Sequence, residues 1–332
     1  MTKLPKILLI GSGPTSLSAL ESLAGHFTLL GIFRELAEDA RAKDEVVQLA
    51  KALGVPVHFE TAPASIDTAI RKLQPDCVVV SSYNRILAPE VLKTCRFVNV
   101  HYAPLPRYRG RACVNWAIIN GEPCTAITIH ELTSDLDAGR VLFQRLVSIG
   151  ARDTVTDLYQ RLNQLQKDHL AATITRYLAG DVGSAQAESE ATYGCTRLPE
   201  DGEINWASNT CATFALIRSL TEPFPGAFTY LHNRRMVVWR AEPLSPPPRY
   251  TGRIPGRIVA VSRTEGYVDV LTGDGTLRIS EVEVEGDSRR QAADVIRSVR
   301  ITLGFSAATL LERIVRLEHE IADLAQSKAQ SS

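Results

Sequence analysis

The chain is 332 residues long, 45% hydrophobic and 22% charged, enough to bury real cores in two domains, or in one large domain with an appendage. Lys plus Arg and Asp plus Glu both total 37, and this zero balance argues against a dedicated nucleic-acid binder, although a local basic patch remains compatible with it. The six cysteines are scattered with no CxxC pair, which reads as reduced thiols of a cytoplasmic protein and not as a metal site or a disulfide frame.

In chain order, the apolar run Ile7–Ile10 is too short for a secretion signal or a membrane span and predicts a buried strand. Gly11-Ser-Gly-Pro14 then makes a tight turn, followed by a helix over 15–24. Strands over 27–33, 55–59 and 76–81 alternate with helices over 35–53 and 65–73, the pattern of a parallel sheet with helices on both faces. The glycine turn lacks the third glycine of a dinucleotide fingerprint, and Arg34 stands beside Glu35 after the second strand, so NAD(P) binding is not expected. A turn that opens a helix suits an anionic or polar substrate group, which makes Ser12 and Gly13 candidate substrate contacts.

A short strand, Phe97 to Val100, leads into the proline-stiffened, cationic loop His101-Tyr-Ala-Pro-Leu-Pro-Arg-Tyr-Arg-Gly110. Residues two apart on a strand share a face, so Asn99 and His101 project together, an amide and an imidazole able to bind and protonate a developing oxyanion. An amphipathic helix closed by Asn120-Gly121 comes next, then a strand over 125–132, a loop bearing Asp135 and Asp137, and a strand over 141–149 that pairs back antiparallel. Thr154-Val-Thr-Asp157 is a capping box, and Val155, Leu158, Leu162 and Leu165 make the apolar face of the helix behind it.

Composition and patterning divide the chain into an α/β domain over 1–190, a linker over 191–204, an OB-like barrel over 205–290 and a helical tail over 291–332. Residues 181–205 as a whole are small and polar. The barrel is expected from a helix over 211–220 and five short strands, with turns at His232-Asn233 and Thr272-Gly-Asp-Gly275. In the tail, Leu310, Ile314, Leu317, Ile321 and Leu324 alternate spacings of four and three, a coiled-coil seam about two heptads long. Docking on the protein's own surface is the first expectation for it; a homodimer through this helix is the alternative.

Three motifs in order, Asn99-x-His101 running into Leu105-Pro-Arg-Tyr-Arg-Gly110, then Asn115-Trp-Ala-Ile-Ile-Asn-Gly121, then Leu136-Asp-Ala-Gly139, resemble the folate-dependent formyltransferase family over residues 6 to about 285. The resemblance implies a Rossmann-like α/β catalytic domain with a C-terminal OB-like barrel, and 10-formyltetrahydrofolate as formyl donor. It implies Asn99, His101 and Asp137 as the catalytic triad, with no metal required. It places the pterin against Arg85, Ile86 and Leu87, the loop Ala103, Pro104, Leu105 and Pro106, and the loop Thr133, Ser134, Asp135 and Leu136. Arg111 matches a ligand-contacting position in sugar-modifying relatives. Many relatives carry Ser-Leu-Leu-Pro where this chain has Ala103-Pro-Leu-Pro106, which removes a hydroxyl from that loop.

The expected acceptor is the primary amine of a nucleotide-linked amino sugar; the alternative is methionyl-tRNA. The tRNA enzymes carry a basic, glycine-rich insertion after the second strand, whereas residues 34–45 here are mixed and net acidic. Against this, Arg234, Arg235 and the stretch Arg249 to Arg263 supply cations to the barrel. A dehydrogenase and a non-catalytic binding protein are the rivals from other classes; NADH binding would mark the first, and activity indifferent to His101→Ala the second.

Overall fold

Ile7, Leu8, Leu9 and Ile10 have no exposed surface, and Cys77 to Ser81 are all buried, as befits central strands of a sheet covered on both faces. The computed structural model of the chain describes residues 3–13, 15–305 and 307–330; Pro14 of the glycine turn lies outside them. It divides into two units, 1–197 and 198–332.

The first unit runs β1 (Lys6–Gly11), α1 (Thr15–Leu23), β2 (Thr28–Phe33), α2 (Glu45–Ala52), β3 (Val57–His58), α3 (Pro63–Leu73), β4 (Cys77–Ser81), α4 (Pro89–Leu92), β5 (Arg96–His101), β6 (Arg109–Gly110), α5 (Cys113–Ile119), β7 (Cys124–Glu131), β8 (Val141–Ser148), α6 (Val155–Leu178) and β9 (Tyr193–Gly194). Seven of these strands form one sheet in the order β3-β2-β1-β4-β5-β7-β8. Pairings are parallel as far as β5, and the β5–β7 and β7–β8 pairs are antiparallel. Leu8, Ile10, Val78 and Val80 pack on Ile66 and Ile70 of α3, while α1 and α6 lie together along the sheet. The strand order reverses between β1 and β4, so the crevice for a ligand opens at the carboxyl ends of the strands.

Two expectations change within this unit. The stretch 35–53 is not one helix: a 3₁₀ turn over Glu38–Lys43 precedes α2, because Asp44 leaves helical geometry to cap α2 through Val47 N (3.0 Å) and to hold Arg34 Nε (2.9 Å). Along α6 the buried stripe continues through Gln166 and not Leu165. The Gln166 amide donates to Thr15 O (3.0 Å) and Ser81 Oγ (3.2 Å), and its oxygen lies 2.6 Å from the Tyr102 hydroxyl, so a polar side chain is buried without loss. The capping box forms as expected: Asp157 N donates to Thr154 Oγ1 and Thr154 N to Asp157 Oδ2 (2.8 Å). Thr154→Ala is expected to cost about 1 kcal/mol of stability, read as a lower urea midpoint with an unchanged slope.

The second unit holds α7 (Thr210–Ser219), β10 (Ala227–Leu231), β11 (Arg234–Pro243), β12 (Ile258–Ser262), β13 (Tyr267–Leu271), β14 (Thr276–Val284), β15 (Arg290–Gln291), α8 (Ala292–Val295) and α9 (Ala307–Gln330). The five strands expected for the barrel make one antiparallel sheet in the order β10-β11-β14-β13-β12, with β15 added on β14. His232 and Asn233, at φ +48° and +67°, turn the β10–β11 hairpin, the handedness that a two-residue hairpin turn demands. Trp206, buried among the sheet's apolar side chains, donates its indole N–H to Thr229 Oγ1 (2.9 Å).

The tail departs from the first expectation. Leu310, Ile314, Leu317 and Ile321 of α9 are 39%, 52%, 44% and 66% exposed, so the seam is not laid on the protein's own surface. Among the described residues, no helix is long and apolar enough to cross a membrane.

Candidate functional site

Strand β5 delivers Asn99 and His101 side by side at its carboxyl end, and the turn after β7 brings Asp137 back over them. Asn99 Nδ2 lies 3.3 Å from Asp137 Oδ1, and His101 Nδ1 lies 3.7 Å from Asp137 Oδ2. Residues 38 and 36 positions apart in the chain, expected together from the motifs, are thus in one cluster. His101 Nε2–H donates to the Tyr108 carbonyl (2.8 Å), which fixes the ring and leaves Nδ1 toward the carboxylate. Asp137 also accepts from Gly110 N (2.8 Å).

Burial disfavours the charged form of both partners, yet neither shift follows it. The Cys113 thiol, 3.5 Å from Nε2, and then the Asp137 carboxylate raise the His101 pKa above the ordinary imidazole value. Asp137 is held well below the usual carboxylate range by His130, by His101 and by the Gly110 N–H. The surroundings thus favour the charged form of both groups, each less than a tenth exposed.

The backbone here is held in conformations that side chains rarely adopt. Tyr108, Ala112 and Asp137 have φ of +61°, +57° and +49°, a clustering characteristic of functional loops, each costing on the order of 1 kcal/mol. Gly139 of the Leu-Asp-Ala-Gly turn has another reason to be glycine: a Cβ there would meet Glu131 O at 1.9 Å. Gly139→Ala is expected to destabilise the first unit by about 3 kcal/mol and displace Asp137, seen as a lowered thermal midpoint together with lost activity.

Sequence reasoning missed three contributors. His130, fully buried on β7, places Nε2 3.1 Å from Asn99 Nδ2 and 3.5 Å from Asp137 Oδ1, while its Nδ1 lies 2.7 Å from Glu131 O. Nδ1–H donates to the Glu131 carbonyl, which fixes the ring, and Nε2 faces both the Asn99 amide and the Asp137 carboxylate. Cys113, a buried free thiol, donates to Tyr108 O (3.0 Å) and packs with Ala103 and Tyr108. The third lies in the small, polar stretch 181–205. Gln186 donates to the carbonyls of Asp137 (2.8 Å) and Gly139 (2.7 Å). Arg109, 1% exposed, is gripped by Gln186, Glu188 and the Tyr193 hydroxyl. Tyr193-Gly194 pairs in parallel with Arg109-Gly110. Residues 184–194 thus strap down the loop that carries Arg109, through pairings about 80 residues apart that no local pattern announces.

The other expected contacts sit as follows. Thr133, Ser134, Asp135 and Leu136 are exposed beside Asp137, and Arg111 is exposed after β6. Ile86 is 89% exposed, Arg85 pairs with Glu35 (3.0 Å), and Leu87 points into the core, leaving only its backbone for a ligand. Ala103 and Leu105 are buried, and their carbonyls already accept from Thr128 Oγ1 (2.6 Å) and Gln144 Nε2 (2.9 Å); Pro104 and Pro106 are half-buried. The Ala103 methyl lies in the closed cluster with Tyr108 and Cys113, so the hydroxyl missing from this loop would have pointed at packed side chains. Ser12 N is committed to Ser82 O (2.9 Å), and Gly13, exposed at φ +71°, gives its carbonyl to Ser16 Oγ (2.8 Å) and Arg34 Nη1 (3.3 Å). Arg34, tied to Asp44, occupies the place after β2 where a dinucleotide site needs a ribose-binding acid.

Known proteins carry the same organisation. The formyl transferase model matches residues 34–174, and the formyl transferase C-terminal domain model matches residues 198–300. Among solved structures, HypX from Aquifex aeolicus, in complex with tetrahydrofolic acid, is 17% identical with a TM-score of 0.66; the match covers 90% of this chain and 48% of that one. The chain thus spans about half the length of the HypX structures it matches. An N-formyltransferase from Helicobacter canadensis, in complex with folinic acid and dTDP-3-aminofucose, is 16% identical with a TM-score of 0.63, covering 83% of this chain and 98% of its own. A likely sugar N-formyltransferase from Mycobacterium tuberculosis is 21% identical with a TM-score of 0.54, over 68% and 91% of the two chains. At these identities the structural likeness establishes the fold, and the two family models, matched in order along most of the sequence, establish the rest: the chain belongs to the formyl transferase family.

Proposed function

We propose that the protein transfers the formyl group of 10-formyltetrahydrofolate to the primary amine of a nucleotide-linked amino sugar. The observation that carries this is the cluster of Asn99, His101 and Asp137, an amide, an imidazole and a carboxylate around one point at the carboxyl end of the sheet. The exposed loop Thr133–Leu136 beside Asp137, with Leu136 59% exposed, offers backbone groups and an apolar side chain for a pterin. Bound there, the donor supplies an activated formyl carbon.

The residues' own parts follow from their geometry. Asn99 Nδ2–H, held only at 3.3 Å by Asp137, is the donor that a formyl oxygen takes over as it gains charge. His101 gives the second hydrogen bond through Nδ1–H, each donor lowering the barrier by about 3 kcal/mol. Asp137 keeps the imidazole charged before attack and takes up the amine's proton, directly or through water, as the new C–N bond forms. That proton passes to the departing folate nitrogen as the old C–N bond breaks. His130 and the Gln186 strap hold Asn99 and the Asp137 turn in place.

Three observations favour an amino-sugar acceptor. One structurally similar protein is described as a sugar 3N-formyl transferase and another as a likely sugar N-formyltransferase, and the Helicobacter canadensis enzyme was solved with dTDP-3-aminofucose. The segment after β2 is a 3₁₀ turn and α2 locked by Arg34 and Asp44, with no basic insertion. Several cations of the second unit are already engaged: Arg234 with Asp287 (3.1 Å), Arg278 with Asp269 (2.8 Å) and Arg289 with Glu222 (2.9 Å), which leaves fewer for tRNA phosphates. The test is tetrahydrofolate release on mixing enzyme, 10-formyltetrahydrofolate and a dTDP-linked amino sugar. Stoichiometric release with a formamide product supports the reading; donor turnover indifferent to the amine contradicts it.

A further inference from the structure

We propose that the exposed seam of α9 is the dimer interface of this protein, closed by the same helix of a second copy in parallel. The chain is anchored just before the helix: Gly304 N donates to Tyr230 O (2.8 Å), and the Phe305 and Tyr230 rings lie 3.9 Å apart. Beyond that anchor, Leu310, Ile314, Leu317 and Ile321 stand in solvent on one stripe of the helix. Water-exposed leucines and isoleucines at heptad spacing leave a continuous apolar surface that an isolated helix gains nothing by presenting.

The sequence says what covers it. Spacings of four and three assign Leu310, Leu317 and Leu324 to d positions and Ile314 and Ile321 to a positions. β-Branched residues at a with leucine at d pack best in a parallel two-stranded coil, whereas isoleucine at both positions or leucine at a favours more strands. The flanks agree. Arg313 falls at g and Glu318 at the following e, so a parallel pair brings Arg313 of each copy against Glu318 of the other, twice by symmetry. An anionic membrane surface is the wrong occupant: between 307 and 330 the cations are Arg313, Arg316 and Lys328, against Glu312, Glu318, Glu320 and Asp323, so the polar face is not basic.

The test is the mass of the full-length protein at micromolar concentration by sedimentation equilibrium. Twice the chain mass is expected for the wild type, and the chain mass for Leu317→Glu. Catalytic activity and near-ultraviolet circular dichroism should be unchanged in that variant, because the exposed seam supports no core. Arg313→Glu should weaken dimerisation at least tenfold, and adding Glu318→Arg should restore it. An antiparallel pair would set residue 313 against Glu320 of the other copy, so in that arrangement the second change would not rescue. A monomeric wild type, a trimer, a dimer that survives Leu317→Glu, or failure of the charge swap to rescue overturns the proposal.

Discussion

His101→Ala is expected to lower kcat/KM for formyl transfer by on the order of 10³, with KM for the donor little changed. The imidazolium is the strongest donor available to a developing oxyanion here, and its loss also frees the Tyr108 carbonyl and one Asp137 oxygen. Those orphaned acceptors cost about 2 kcal/mol of stability, which a folded family member should tolerate, so circular dichroism should still report the native fold. Because only the charged imidazole serves as this donor, wild-type activity should fall on the alkaline side as His101 deprotonates. Its pKa is raised, so that limb lies above the ordinary histidine value.

Asp137→Asn is the second large effect, expected at about 10² to 10³ in kcat. It removes the acceptor for the amine's proton and one of the two groups that keep His101 charged, so the alkaline limb of the pH profile should move to lower pH. Stability carries the same signature. The depressed carboxyl of Asp137 stabilises the fold fully above its ordinary value and loses that contribution as pH falls through its folded value. The raised imidazole of His101 stabilises fully below its ordinary value and loses that contribution as pH rises through its folded value. The stability gap between wild type and Asp137→Asn should therefore be widest between about pH 4 and about pH 6.5 and narrow on both sides, as measured by urea unfolding across pH.

The reach of the sequence can be judged residue by residue. The β1 and β4 runs and the Thr154 capping box are local patterns, and each became the expected element. Asn99 and His101 share a face because strand period is fixed, and the Leu-Asp-Ala-Gly motif carried Asp137 to them. What escaped notice depends on partners far along the chain. Asp44 ends one helical turn and caps the next, held there by Arg34 as well as by Val47 N. Gln166 passes as a surface residue until Tyr102, Ser81 and the first residue of α1 surround its amide. Residues 184–194 have linker composition, yet they grip Arg109 and the Asp137 turn. His130 sits in an ordinary alternating strand, and only the pairing of β5 with β7, which sets Asn99 opposite His130, makes it part of the site. The α9 seam was legible as a pattern, but periodicity alone does not say which surface meets it.

The most direct measurement compares kcat/KM for a dTDP-linked amino sugar and for methionyl-tRNA, with 10-formyltetrahydrofolate as donor and the product formamide identified by mass spectrometry. A ratio of at least 10³ in favour of the amino sugar, with formyl transfer lowered by on the order of 10³ in His101→Ala, is the predicted result. Formylation of methionyl-tRNA alone, or formyl transfer at near wild-type rate without His101, would contradict it.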